Sequence, residues 1–147
     1  MKAPDQSSGR TATLFIRIAV AVLVVSAYPA FVLGYTWSHV ARSNLPGGRH
    51  GPLDAYRHTL ASAVVAFTLS PRAVEWVTSA MERRSTDANL MDRHNNQIGA
   101  AIGMRAHSFG EIEPAVQAQV QGGAIDAGDA AQVTWLPPER WRKSLLW

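Results

Sequence analysis

The stretch IAVAVLVVSAYPAFVLGYTW, Ile18 to Trp37, runs for twenty residues without a charge. At about 1.5 Å of rise per residue, a helix of this length matches the roughly 30 Å hydrocarbon core of a bilayer. Two fates fit such a segment. An apolar run from Ile18 to Val25 followed by the small residues Ser26 and Ala27 is the pattern of a cleaved secretory leader. Yet the run continues past that point to Tyr35 and Trp37, aromatic residues suited to a membrane-water interface. The expectation is therefore an uncleaved transmembrane anchor, in which Pro29 is tolerated.

Lys2, Arg10 and Arg17 precede the segment, and Arg42, Arg49 and Arg57 follow it, so basic residues balance across the span. Its place near the N-terminus, behind a basic leader, favours a cytoplasmic N-terminus and export of the rest. This predicts a single-pass inner-membrane protein with its domain on the extracytoplasmic side and the lipid bilayer as partner. A protein partner is left undefined. The chain has no cysteine, which excludes disulfides and thiolate zinc sites.

A sequence pI near 9.8 suggests nucleic acid, but the excess sits mainly in the leader. Residues 38 to 147 hold 11 Lys or Arg against 10 Asp or Glu, a net of +1, with no basic stripe to track phosphates. No nucleic-acid role is expected.

The chain divides into a basic leader (1–17), the anchor (18–37), a linker (38–51), a helical domain (52–123) and an irregular tail (124–147). SNLPGGRHGP, residues 43 to 52, has linker composition, and Pro52 suits the first position of a helix reaching Leu69. Leu53, Leu60, Val64 and Phe67 form its apolar face. Ser70 and Pro71 open a second helix through Val74, Val77 and Met81, broken by RRSTDAN. Asp87 or Asn89 caps a third, from about Leu90 to Arg105, with Met91, Ile98 and Ile102 on one face. A fourth runs from Glu111 or Pro114 to Gln121 and stops at Gly122 and Gly123. Gln132 to Leu136 reads as a short extended piece with no visible partner strand. The tail ERWRKSLLW, with Trp141, Leu145, Leu146 and Trp147 among basic residues, suits either an anionic membrane surface or packing on the domain. The fold class is all-α: an N-terminal transmembrane helix followed by a small domain of about four helices.

Within the third helix lies MDRHNNQIG, residues 91 to 99. Asn95 and Asn96 are poor helix formers, because their amides compete with the backbone. Asp92, Asn95, Asn96, Gly99 and Gly103 fall at i, i+3, i+4, i+7 and i+11 and share a face. The two glycines would let another backbone approach and bury the amides, which must then be hydrogen-bonded. The first helix supplies a matching set in Asp54, Arg57 and His58. Packed together, the two faces form one polar cluster near the helix N-termini. Each residue also has a local explanation: Asp92 as the acid of a capping box opened by Asn89, Asp54 at the positive end of its helix, and His94 as an ordinary packed histidine.

DAYRH and MDRHNNQIG together resemble a bacterial domain family with paired Asp-x-x-Arg-His and Met-Asp-x-x-Asn-Asn-x-x-Gly signatures. That family occurs in poorly characterised secreted or surface proteins, often as the C-terminal domain of toxin-like chains. The resemblance spans roughly residues 50 to 125, including the helix end VQAQVQGGAI. It implies polar positions at Asp54, Arg57, His58, Asp92, Asn95, Asn96 and Gly99, with no established reaction. This chain keeps Glu82 of a His-Glu pair but has Met81 where the histidine would be.

Two functions of different class follow. In the first, a hydrolase works at the membrane face on lipid, lipid-linked or cell-wall substrate. Its catalytic residues are His58 as general acid or base, Asp92 or Asp54 orienting it, and Arg57 holding an anionic oxygen; Asn95, Asn96 and His94 bind substrate, or the two amides fix the acids. No cofactor or metal is expected. Were a metal used, Asp54, His58 and Asp92 would hold it, although no His-x-x-x-His or His-Glu-x-x-His pattern occurs and Arg57 would repel the ion. In the second, the same residues form a structural network in a non-catalytic anchored binding or immunity-type module.

Overall fold

The computed structural model describes residues 6–81 and 86–143, so Glu82 and the tail residues Leu145, Leu146 and Trp147 lie outside the described residues. The chain forms two units, Met1–Gly34 and Tyr35–Trp147. Helix α1, Gln6–Val40, makes up the described part of the first unit and contributes its last six residues to the second. Leu14, Phe15, Ile16, Ile18, Val20, Val22 and Leu23 are exposed along it, and Ala12–Val40 is long and apolar enough to cross a membrane. Pro29 lies inside this helix without ending it.

The second unit contains α2 (Pro52–Thr68), α3 (Pro71–Met81), α4 (Asp87–Arg105) and α5 (Ile112–Gln121), the mostly helical domain expected. Local signals set their ends. Pro52 and Pro71 stand at first helical positions, and Ser70 Oγ accepts the Ala73 N–H at 3.2 Å. The cap of α4 differs from expectation. Thr86, not Asp87 or Asn89, is the N-cap, and its Oγ1 accepts the Asn89 N–H at 3.3 Å.

Small residues decide how α2 and α4 meet. A Cβ on Gly99 would lie 2.2 Å from the Thr59 carbonyl oxygen, and one on Gly103 would lie 2.2 Å from that of Ala63. Gly99 and Gly103 are four residues apart, as are Thr59 and Ala63, so the two helices run in the same direction in fixed register. α3 returns the chain between them. Leu60, Val64, Met91, Ile98 and Ile102 are buried about this contact, with Ile112, Val116 and Val120 from one face of α5. Tyr56 reaches α5 by donating its hydroxyl to Glu113 Oε1 at 2.8 Å.

The tail is more ordered than its composition suggests. The strand expected within Gln132 to Leu136 is β2, Thr134–Trp135, and it finds a parallel partner in β1, Ala124–Ile125. Gly123 makes room for Trp135, whose ring would lie 2.4 Å from a Cβ there. The expected linker, 38–51, is also packed. Arg49 and Arg142 exchange backbone hydrogen bonds, the Leu136 N–H donates to the His50 carbonyl at 2.9 Å, and the Trp141 indole covers Gly47 and Gly51. Trp141 therefore belongs to the domain, and its Nε1–H donates to the Leu136 carbonyl.

The close approach predicts that Gly99→Ala and Gly103→Ala each cost at least about 2 kcal/mol, since the new methyl must push a backbone carbonyl aside. Gly110→Ala, whose Cβ would meet nothing within 4 Å, should change stability by less than about 0.5 kcal/mol. Chemical denaturation of the three variants in detergent checks the contrast.

Candidate functional site

The parallel register of α2 and α4 sets Asp54, Arg57 and His58 on the first turns of α2 against Asp92 and Asn96 on α4. His58 Nε2 stands 3.5 Å from Asp54 Oδ1, 3.5 Å from Asp92 Oδ1 and 3.2 Å from Arg57 Nη2. Arg57 Nη2 also forms an ion pair with Asp54 Oδ1. The side chain of Asp54 is 2% exposed, against 13% for Arg57, 14% for Asp92 and 21% for His58, so the cluster is sealed beneath and open at one edge. A buried carboxylate is tolerated when charge and hydrogen bonds compensate it.

Asp54, Arg57, His58 and Asn96 are each held by a named partner. Asp54, in the first turn of α2, reaches back to accept the His50 N–H on Oδ2 at 2.7 Å, much as the acid of a capping box does. His50 has φ +70°, a left-handed conformation uncommon for a residue with a side chain, which fits the sharp entry into the helix. Asn96 hydrogen-bonds the His58 imidazole, accepts the Ser62 hydroxyl at 2.8 Å and donates to Thr78 Oγ1 at 3.3 Å, so one amide joins α2, α3 and α4. The Arg57 guanidinium lies under the Trp37 ring, 5.6 Å from its centroid.

Beside the cluster is a small cleft lined by Trp37, Val40, Gly48, Leu53, Asp54 and Arg57. Of these, only Asp54 and Arg57 were singled out as site residues from sequence. Trp37 was read as an interfacial aromatic, and Gly48 as linker. Ser62 did carry a signal, four residues after His58 on the same face.

Asn95 and His94, read from sequence as substrate-binding, serve the fold instead. The Asn95 side chain is 0% exposed: its Nδ2 donates to the Thr134 carbonyl at 2.8 Å and its Oδ1 accepts the Thr134 N–H at 3.0 Å. The His94 Nε2–H donates to the Gln132 carbonyl at 2.8 Å. Asn95 fastens β2 to α4, and His94 fastens the residues just before it. The cluster proper is therefore Asp54, Arg57, His58, Asp92 and Asn96.

Chemically, the cluster offers one imidazole, two carboxylates and a guanidinium. Burial pushes the His58 pKa down to about 4, Asp54 opposes this, Arg57 adds to it and the Asn96 hydrogen bond opposes it. The imidazole is thus neutral near pH 7, and its Nε2 lone pair faces the Arg57 guanidinium 3.2 Å away. Asp54, His58 and Asp92 also place one ligand atom each within 4.8 Å of one another, the arrangement required of residues that share a cation.

The depressed His58 pKa has a defined consequence for stability. The unfolded chain takes up the His58 proton near pH 6.5, while the folded chain resists it until about 4. This contribution is complete above about pH 6.5 and is lost as pH falls from there to about 4. Urea denaturation in chelator-treated buffer should show stability dropping over that window, and His58→Gln should flatten the drop.

Compared with known protein families, curated proteins and solved structures, the chain matches none.

Proposed function

We propose that this protein is a membrane-anchored hydrolase whose helical domain works at the face of the bilayer. The observation that carries the reading is the His58 imidazole, held within 3.5 Å of two carboxylates from different helices and beside an arginine that lines a cleft. A solvated helix face needs no such convergence, and perturbed titratable groups meeting at a cleft are the usual mark of a working site. The residues also coincide with the paired motifs that resemble the toxin-associated family.

In this reading His58 takes a proton from the attacking water, and Asp92 steadies the imidazolium that forms. Arg57 receives an anionic oxygen of the substrate, phosphate being the natural match for a planar guanidinium. Asp54 aims Arg57, and Asn96 fixes the His58 ring. The anchor restricts the substrate to lipid, lipid-linked or cell-wall material. Lys2, Arg10 and Arg17 ahead of α1 support an extracytoplasmic domain on an inner-membrane, single-pass protein.

The deep burial of Asp54 favours a second reading, a non-catalytic anchored module in which the same network only locks helix packing. Substitution separates the two. In the full chain, His58→Ala should abolish hydrolysis of phosphate-bearing lipid or lipid-linked substrate by about 100-fold or more, with a melting shift of only a few degrees. Asn96→Ala should destabilise more, because it frees Ser62 and Thr78 along with the ring. No hydrolysis by the parent chain, together with equal large stability losses in both variants, would leave the anchored module.

Topology has its own test. The chain lacks cysteine, so Ala130→Cys in the exposed loop before β2 introduces a unique thiol. It should react with a membrane-impermeant reagent once the outer permeability barrier is opened. Labelling only after lysis would place the domain in the cytoplasm.

A further inference from the structure

We infer that Asp54 Oδ1, His58 Nε2 and Asp92 Oδ1 form a binding site for one divalent metal ion of the zinc or manganese class, with Arg57 as the internal counter-charge that withdraws when the ion enters. The inference rests on reading this cluster as the working site but replaces the roles given there to His58 and Arg57: with Nε2 on the ion, the imidazole holds the ion instead of taking a proton.

Distance is the first support. Two ligands bound tetrahedrally at about 2.1 Å from one ion lie roughly 3.4 Å apart. His58 Nε2 stands 3.5 Å from each carboxylate oxygen, and all three atoms fall within 4.8 Å of one another. An imidazole with two carboxylates is a donor set for zinc or manganese; calcium would need six or more oxygens.

The surroundings of the ligands are the second support. Asp54 Oδ2 is committed to the His50 N–H, which leaves Oδ1 pointing into the cluster. Oδ1 is buried and accepts no hydrogen bond; the Arg57 charge faces it. The His58 ring is oriented by Asn96, and Asn96 is itself fixed by Ser62 and Thr78. Outer partners of this kind set the direction of metal ligands. Ligands on two helices whose separation is fixed by Gly99 and Gly103 are also preorganised.

Arg57 is the obstacle and also the reason the charges stay folded together without an ion. Its Nη2 is 3.2 Å from His58 Nε2 and paired with Asp54 Oδ1, so the guanidinium occupies the neighbourhood an ion would take. The Arg57 side chain is 13% exposed, so its way out of the cluster is toward solvent.

The test uses the full chain in detergent, stripped with chelator and titrated calorimetrically with zinc or manganese chloride. One ion should bind per chain, and the melting temperature should rise by several degrees at saturating metal. Asp92→Asn and His58→Gln should each weaken binding at least about 10-fold, as losing a ligand costs no less than losing an outer partner. Arg57→Met should bind about 10-fold more tightly or better, a gain that misfolding cannot produce. No binding by the parent chain, or binding that survives both ligand substitutions, would overturn the site; an Arg57→Met variant that binds no more tightly would overturn the counter-charge role. A chain that binds the ion yet hydrolyses nothing keeps this inference and loses the hydrolase reading; hydrolysis in chelator with no ion bound does the reverse.

Discussion

Two backbone carbonyls on α2 occupy the places where residues 99 and 103 of α4 would carry side chains. The rest of the domain depends on that contact. With glycine at both positions the helices sit about one side-chain layer closer than leucine or valine would permit. The equal four-residue spacing on each helix fixes register as well as distance. Register brings the N-terminal halves of both helices to the same end, where acidic residues are favoured by the helix dipoles. Asp54 and His58 then face Asp92 and Asn96, and polar groups that either helix would leave in water become a half-buried cluster.

Such a cluster persists only if every charge within it is answered. Asp54 is answered twice, by the Arg57 guanidinium on one oxygen and the His50 N–H on the other. His50 in turn accepts the Leu136 N–H, so the tail takes part in holding the entry to α2. Asn95 and His94 hold the same tail from α4. The consecutive polar residues of MDRHNNQIG therefore divide between two neighbours: 92 and 96 turn to α2, 94 and 95 to the strand segment. Two amides in succession are needed because successive helical residues point about 100° apart.

This division shows what the sequence could convey. The helix ends at Pro52, at Ser70 and Pro71 and at Gly122 rest on local chemistry, and they were legible. The meeting of the two polar faces was legible too, because i, i+4 spacing and a pair of glycines are readable without a partner in view. Which asparagine would face the cluster was not, since that depends on where β2 lies. The tail and the 41–51 segment are joined by backbone pairs such as Arg49 with Arg142, contacts distant in sequence and marked by no periodicity. The Thr86 cap was hidden by the neighbouring Asp87 and Asn89, each an acceptable cap on its own.

Arg57 is where structure and chemistry meet most directly. It lines the cleft, which His58 and Asp92 do not, and also pairs within the cluster. Lysine could supply the charge but not a planar group that pairs with Asp54 while lying against Trp37. An anion would be bound by this guanidinium, whereas a cation would have to displace it. Because Asp54 keeps its His50 hydrogen bond and His58 keeps Asn96 in either case, the carboxylates and imidazole need not move when Arg57 does. On the metal-site proposal, a fixed set of ligand atoms beside one long, displaceable cation would let a domain this small hold its site folded and still open it.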